Sequence, residues 1–431
     1  MINVTAILIL IGLLFIFLIL RVPVAFSLGI STMVTALYLK IPPQVVTQQM
    51  VKGINSFSLL AIPFFIVAGE IMSEGGISRR LIDFSNVIIG RVRGGLAMVN
   101  ILASMFFGGI SGSSVADTSS IGSVMIPMME KQGYDKDYSI NVTVTSSTQG
   151  VIIPPSHNVI IYSVAAGGLS VGRLFLGGMV PGIFLGLALM VLSYIIAVQR
   201  NYPKGDKVTL REGLKITKDS LLGLFTAVII MGGVISGVFT ATESAAIAAI
   251  YAFIVTFFIY RDIPISRMNK ILRNSLRTLA MVMAVIATSS AFGWMMAYLR
   301  IPAIVTETLI AFSDNKYVIL LLVNVILLFL GMIMDMAPLI LITTPILLPV
   351  VQKVGMDPIQ FGIVMMLNLG IGLITPPVGS TLFVGCTIGG AKIEDIAKSL
   401  IPFYVVMFVV LIALTFIPQI TLFLPNLLMG K

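Results

Sequence analysis

The chain has 431 residues, 58% of them hydrophobic and only 10% charged, with a mean hydropathy of +1.07. Soluble domains carry about 25% charged residues, so this composition excludes a water-soluble fold and makes lipid the solvent. A net charge of +9 then describes loop orientation and not nucleic-acid binding. One cysteine, Cys386, and one histidine, His157, exclude a disulfide framework, a Cys/His zinc site and a Cys–His nucleophilic pair. With no acid pair at a catalytic spacing either, the chain reads as a non-enzyme.

The first segment, INVTAILILIGLLFIFLIL, is uncharged over the roughly 20 residues that cross a bilayer. It lacks a basic leader and a small-residue cleavage site, so it reads as a retained span. Apolar segments recur from there onward, divided by short polar separators. Residues 200–219 hold six Lys/Arg against three acids, and residues 261–277 hold five against one. By the positive-inside rule both face the cytoplasm, and two spans near 220–238 and 240–260 return the chain between them. Glu70 in IPFFIVAGEIM and Glu243 in TATESAAIAA fit an interhelical hydrogen bond or an interface position better than an ion site.

A shift of 222 residues lays one half of the chain over the other. Eleven identities fall in the 42 positions from 127 to 168 without a gap, including Pro154-Pro155 over Pro376-Pro377 and Gly167-Gly168 over Gly389-Gly390. Residues 77–93 carry four arginines and one acid, whereas their counterparts 299–315 carry one arginine and two acids. Opposite charge bias in equivalent segments points to opposite sides of the membrane. Inverted repeats with interrupted helices are a plan of secondary transporters.

Each half is interrupted twice. TQGVIIPPSHN and GLITPPVGS are proline breaks that leave upstream carbonyls unpaired. Such a break is tolerated at membrane depth only where it lines a protein cavity. Freed carbonyls beside the Thr375 hydroxyl are hard oxygen ligands suited to a small cation. The other interruption is GGISGSSVADTSSIGSVMIP, whose partner is GMIMDMAP. Apolar arms too short for two full spans flank each, so each reads as a re-entrant hairpin, with the small residues of the first forming its tip. A helix N-terminus at such a tip attracts anions. Between Leu96 and Glu130, and between Tyr317 and Gln352, there is no lysine or arginine. An anion is therefore met by tip amides, hydroxyls and bound cations.

These motifs, with TATESAA and TPPVG, together resemble the large membrane subunit of TRAP (tripartite ATP-independent periplasmic) transporters over essentially the whole chain. The resemblance implies an all-α integral membrane protein of the inverted-repeat elevator type, with two re-entrant helical hairpins and broken transmembrane helices. It implies residence in the bacterial inner membrane and import of a small organic anion such as a C4-dicarboxylate, keto acid or sialic acid, coupled to sodium and without a cofactor. It also implies two partners: a small four-helix membrane subunit on a separate chain and a periplasmic substrate-binding protein. A stand-alone sodium-coupled carboxylate symporter is the alternative. On this plan residues 1–95 are scaffold helices and an arm, and 96–199 are transport repeat 1 (hairpin about 97–130, broken helix about 138–168). Residues 200–315 are the connector, scaffold helices and second arm; 316–395 are transport repeat 2 (hairpin about 317–352, broken helix about 359–390); and 396–431 form a last transmembrane helix.

Two sodium sites related by the repeat are expected. The first combines Ser111, Gly112 and Ser113 with the break from Gly150 to Pro154. The second combines Gly331, Asp335 and Ala337 with Gly372, Thr375 and Pro376. Substrate contacts are expected from Ser113, Ser114, Asp117, His157 and Asp335, although a lone histidine such as His157 is more often structural.

Overall fold

Prolines, glycines and hydroxyl caps at the edges of apolar runs decide where helices start and stop in this chain. The computed structural model describes residues 3–205, 208–313 and 315–430, so positions 206, 207 and 314 of the connector and second arm lie outside the described residues. Among the described residues the fold is helical, with a single isolated β-bridge between Arg93 and Lys204.

The chain opens with α1 (Val4–Ile19) and α2 (Val24–Tyr38), which pack on each other, and the amphipathic α3 (Pro43–Ile54). Next come α4 (Ala61–Glu74) and α5 (Ile77–Ile89). A first hairpin follows, α6 (Gly95–Ser111) and α7 (Ser114–Lys131), and then a broken helix, α8 (Lys136–Ser147) and α9 (His157–Ala165), interrupted at residues 152–156. The long α10 (Val171–Gln199) leads to the connector. Beyond it lie α11 (Leu210–Ile235), α12 (Ala241–Ile254, prolonged by a π-helical turn to Tyr260), α13 (Met268–Tyr298) and α14 (Ile301–Phe312). The second hairpin is α15 (Lys316–Gly331) and α16 (Met336–Lys353), and the second broken helix is α17 (Pro358–Leu373) and α18 (Ser380–Gly389). The chain closes with α19 (Ile393–Phe416) and α20 (Pro418–Met429).

Among the described residues, seven helical segments are long and apolar enough to cross a membrane. Of the shorter apolar helices, α6, α15, α17 and α18 belong to the hairpins and broken helices of the two repeats, and arm α16 is itself one of the seven. Three boundaries differ from the sequence reading. The span expected near residue 220 begins at Leu210, because Thr209 and Glu212 form a capping box that starts the helix ahead of the apolar run. The last segment is two helices, because Pro418 cannot continue α19 and instead opens α20. The small-residue run is not all tip. Ser113 caps α7 by accepting from the Ala116 amide at 3.4 Å, so the turn is only Gly112-Ser113 and the rest is helix. Within that helix, small residues allow close packing: a Cβ on Gly122 would lie 2.9 Å from the Thr143 methyl.

The repeats interlock. Arm α7 of the first hairpin packs on α18 of the second broken helix, and arm α16 packs on α9 of the first. In each repeat a glycine pair sets the closest approach of hairpin and broken helix. A Cβ on Gly108 would stand 2.4 Å from Gly150 Cα, and one on Gly372 would stand 2.7 Å from Gly331 Cα.

The basic end of the molecule is held by polar contacts. Gly94 N–H donates to Pro203 O at 3.0 Å, and the Arg91 guanidinium donates to Val208 O at 2.7 Å. The strand entering the first hairpin is thus clasped to the strand leaving α10. Beside it, Asp135 accepts from Tyr202 OH at 2.7 Å and from Arg200 at 2.8 Å. The Tyr202 hydroxyl first, and then the Arg200 guanidinium, hold the Asp135 carboxyl below the ordinary carboxylate range.

Candidate functional site

Four helix N-termini open onto the two tips and the two breaks: α7 at Ser114, α9 at His157, α16 at Met336 and α18 at Ser380. Each presents unpaired amides and the positive end of its dipole. The first two residues of α18 join the elements. Ser380 Oγ donates to Asp335 Oδ1 at 3.3 Å, and Thr381 Oγ1 donates to Ser114 Oγ at 3.1 Å. Ser114 in turn lies 3.0 Å from Ser147 Oγ, which also accepts from Thr118 Oγ1 at 2.7 Å. A line of oxygens therefore runs from the second tip, through α18, to the first hairpin and the first broken helix.

At the first tip, Gly112 adopts φ +62°, and a Cβ there would lie 3.0 Å from Ser156 Cα and 3.2 Å from His157 Nδ1. Asn158 Nδ2 donates to Gly112 O at 3.5 Å. The tip thus meets Ser156–Asn158, on the far side of the break. Gly150 and Pro154 instead face the end of α6, where a Cβ on Gly109 would approach Pro154 O to 3.0 Å. Ser111 lies against Gly69 of α4, and its hydroxyl is 3.4 Å from the Ser113 amide. Ser156 Oγ is buried without a hydrogen-bond partner.

At the second tip, Gly331 rests on Gly372, and Val378 N–H donates to Met332 O at 3.3 Å. Thr375 Oγ1 donates to Ile371 O at 2.7 Å, and Tyr404 OH donates to Ile374 O at 2.7 Å. Asp335 is exposed and stands at the N-cap of α16 without a side-chain capping bond, its carboxylate taken by Ser380, while Ala337 and Pro376 are half-buried beside it in the tip and break. The second break is the more open: Pro377 and Val378 are exposed, whereas Pro154, Pro155 and Ser156 are buried.

Asp117 is placed differently from the other expected substrate contacts. It is fully buried, with both carboxylate oxygens unpartnered and the Ser104 hydroxyl beside them, so it stands behind the first tip and not on its surface. Glu70 accepts from Asn274 Nδ2 at 2.8 Å, joining α4 to α13, while Glu243 caps its own helix α12 through Thr240.

The sequence reading missed Ser147, Asn158, Ser380, Thr381 and Tyr404. Asn158 and Ser380 are related by the 222-residue shift, and each reaches the tip of the hairpin in its own half. The repeat register could have found that pair. Thr381 acts across repeats, and Tyr404 reaches the second break from α19, outside the repeat; an alignment of the two halves shows neither.

Paired hairpins facing paired broken helices, with hydroxyls and helix N-termini at the junction, define an all-α membrane transporter. The family described as tripartite ATP-independent periplasmic transporter, DctM component, matches residues 11–420, and the chain belongs to that family of TRAP transporter large permease subunits. It is 45% identical over 410 residues to the uncharacterized protein YgiK of Salmonella typhimurium, covering 94% of each chain. It is 40% identical over 403 residues to the C4-dicarboxylate TRAP transporter large permease protein DctM of Pseudomonas aeruginosa, covering 93% of this chain and 94% of that one. The sialic acid TRAP transporter large permease protein SiaM of Vibrio cholerae is 39% identical over 383 residues, with 89% and 90% covered. In fold it is similar to the Alcanivorax borkumensis YdaH transporter, with a TM-score of 0.62 at 12% identity, covering 86% of this chain and 87% of that one.

Proposed function

We propose that this chain is the large permease subunit of a sodium-coupled, binding-protein-dependent importer of a small organic carboxylate in the bacterial inner membrane. A separate small membrane subunit and a periplasmic binding protein complete it. The observation that carries the reading is the junction of both tips at Ser380-Thr381. Neither hairpin has a basic side chain between its arms, so amides and hydroxyls meet the carboxylate. The relatives named for C4-dicarboxylates and sialic acid support an organic anion as the cargo.

Cations complete the site. In the second half, Gly331, Gly372, Thr375 and Pro376 surround an open break with carbonyls, a hydroxyl and the Asp335 carboxylate. In the first half, Ser111–Ser113 and the carbonyls from Gly150 to Pro154 lie on two sides of α6's end, with buried, unpartnered Asp117 behind them. A buried unpaired carboxylate is costly, and a nearby cation offsets it. With both ions bound, the site is neutral enough to cross the bilayer with its hairpins. The hairpins and broken helices then move as a body against α1–α5 and α11–α14, in an elevator. Uptake by proteoliposomes holding all three proteins, with and without a sodium gradient, tests this. Equal uptake without sodium sinks the coupling, and uptake by this chain alone favours a stand-alone symporter.

A further inference from the structure

Next to the clasp at the basic end, α5 and α11 run antiparallel. Gly213 packs on the Val87 methyl at 3.3 Å, and Gly223 packs on Ile77 at 2.9 Å, both measured from a Cβ built on the glycine. Where the two helices diverge there is a cavity of about 230 Å³ lined by Val87, Arg91, Leu210, Gly213, Leu214 and Thr217. Its outer wall is apolar and uncovered: Leu210 is 84% exposed and Leu214 is 66% exposed. At helical spacing Leu210, Leu214 and Leu221 form one stripe, and Arg211, Lys215 and Lys218, all exposed, form the stripe beside it. On the α5 side the Arg91 guanidinium spends one donor on Val208 O and keeps the others.

The acids closest to the cavity are engaged. Glu212 is bonded to the Thr209 hydroxyl and amide, and Asp83, one turn along α5, faces Arg79 and Arg80. An uncovered leucine stripe between an arginine just past the end of α5 and three cations on α11 is complementary to an amphiphile with an acidic head. The positive-inside rule puts this end in the cytoplasmic leaflet, where anionic headgroups attract juxtamembrane cations.

We propose that the α5–α11 groove binds an anionic phospholipid, its phosphate met by Arg91 and Arg211 and an acyl chain lying along Leu210, Leu214 and Leu221. The site adjoins both strands of the clasp, because Arg91 and Val208 belong to them. The proposal does not depend on the transport reading.

Native mass spectrometry of the purified full chain in mild detergent tests it. Phosphatidylglycerol and phosphatidylcholine of matched chains are added in separate samples, and inorganic phosphate is added as a competitor. Phosphatidylglycerol should be retained at least ten-fold more than phosphatidylcholine, and excess inorganic phosphate should not displace it. Arg211→Gln with Lys218→Gln, whose side chains make no bond that the fold needs, should each reduce retention by about five-fold per charge. Leu214→Asn should weaken it further, whereas Lys52→Gln on exposed α3 should change nothing. Equal retention of the two lipids, or full retention by the double variant, would mean an unspecific lipid annulus and overturn the site. Displacement by inorganic phosphate would overturn the role of the leucine stripe.

Discussion

Thr375 donates its proton to Ile371 O, which leaves the hydroxyl oxygen free to accept a cation. Its counterpart in the first repeat is Ile153, so in the proposed pair of sites the first would draw on Ser113 and carbonyls instead. Thr375→Val should therefore raise the sodium concentration for half-maximal uptake by about ten-fold, close to ~1.4 kcal/mol for one ligand to a charged group. It should also lower the apparent number of coupled ions and leave the amount of folded protein unchanged. Sodium titration of uptake by the reconstituted three-protein system measures both. If Thr375→Val and Ser113→Ala both keep the parent's sodium dependence, the paired-site reading is wrong. At this scale the sequence pointed to the hydroxyls of the tips and to Thr375. It did not show that Asp117 turns inward, because only packing decides which face of a small-residue helix is covered.

A hairpin and its broken helix meet through glycine on glycine, and this contact has no room for a methyl group. Gly372→Ala would force a carbon to within 2.5 Å of the Gly331 carbonyl carbon, at a cost of about 1–3 kcal/mol through displacement of α15. The expected result is a protein that inserts and purifies but melts earlier and transports little, read by thermal melting in detergent and by uptake. Gly133→Ala is a useful control. It sits in a turn with open space around it, although its φ of +86° carries a strain of its own. A melting temperature unchanged by Gly372→Ala would refute the close approach. The elements themselves were largely legible in the sequence, because Pro-Pro pairs and short apolar arms survive in register across 222 residues. The extent of the first tip was not, since Gly, Ser, Thr and Ala suit a turn and a tightly packed helix equally well until a cap such as Ser113 fixes the start.

On the scale of the whole molecule, the basic end is held by charge and hydrogen bonds, and its stability should follow pH. The Asp135 pKa is lowered in the folded chain, so its contribution is fully present above the unfolded value of about 3.9 and is lost as pH falls through the lowered one. Asp135→Asn should reduce melting temperature near neutrality, and the difference from the parent should vanish in strong acid. A constant difference across that range would remove Asp135 from the clasp. The inverted arrangement predicts that single cysteines placed in 77–93 and in 299–315 react with impermeant reagents from opposite faces of vesicles. Labelling from one face would end that reading. Charge bias carried this much in the sequence; the contacts between halves it could not carry, because the alignment superposes equivalent positions and the decisive bonds join non-equivalent ones.

Those bonds bear on how the duplicated halves can exist. Ser114 and Thr118 are buried, and the helix that covers them, α18, belongs to the other half, as α9 does for α16. A fragment ending at residue 205 would expose this face of α7 to acyl chains and strip Ser114 of Thr381, leaving Ser114 and Thr118 to share Ser147 alone. Expressed alone, that fragment should be cleared by membrane proteases; expressed together with residues 208–431, both should accumulate and co-purify. Stable accumulation of the lone fragment would show that the halves remain autonomous. With accumulation only on co-expression, the duplication would be an obligate heterodimer in a single polypeptide, each half finishing the fold of its sibling.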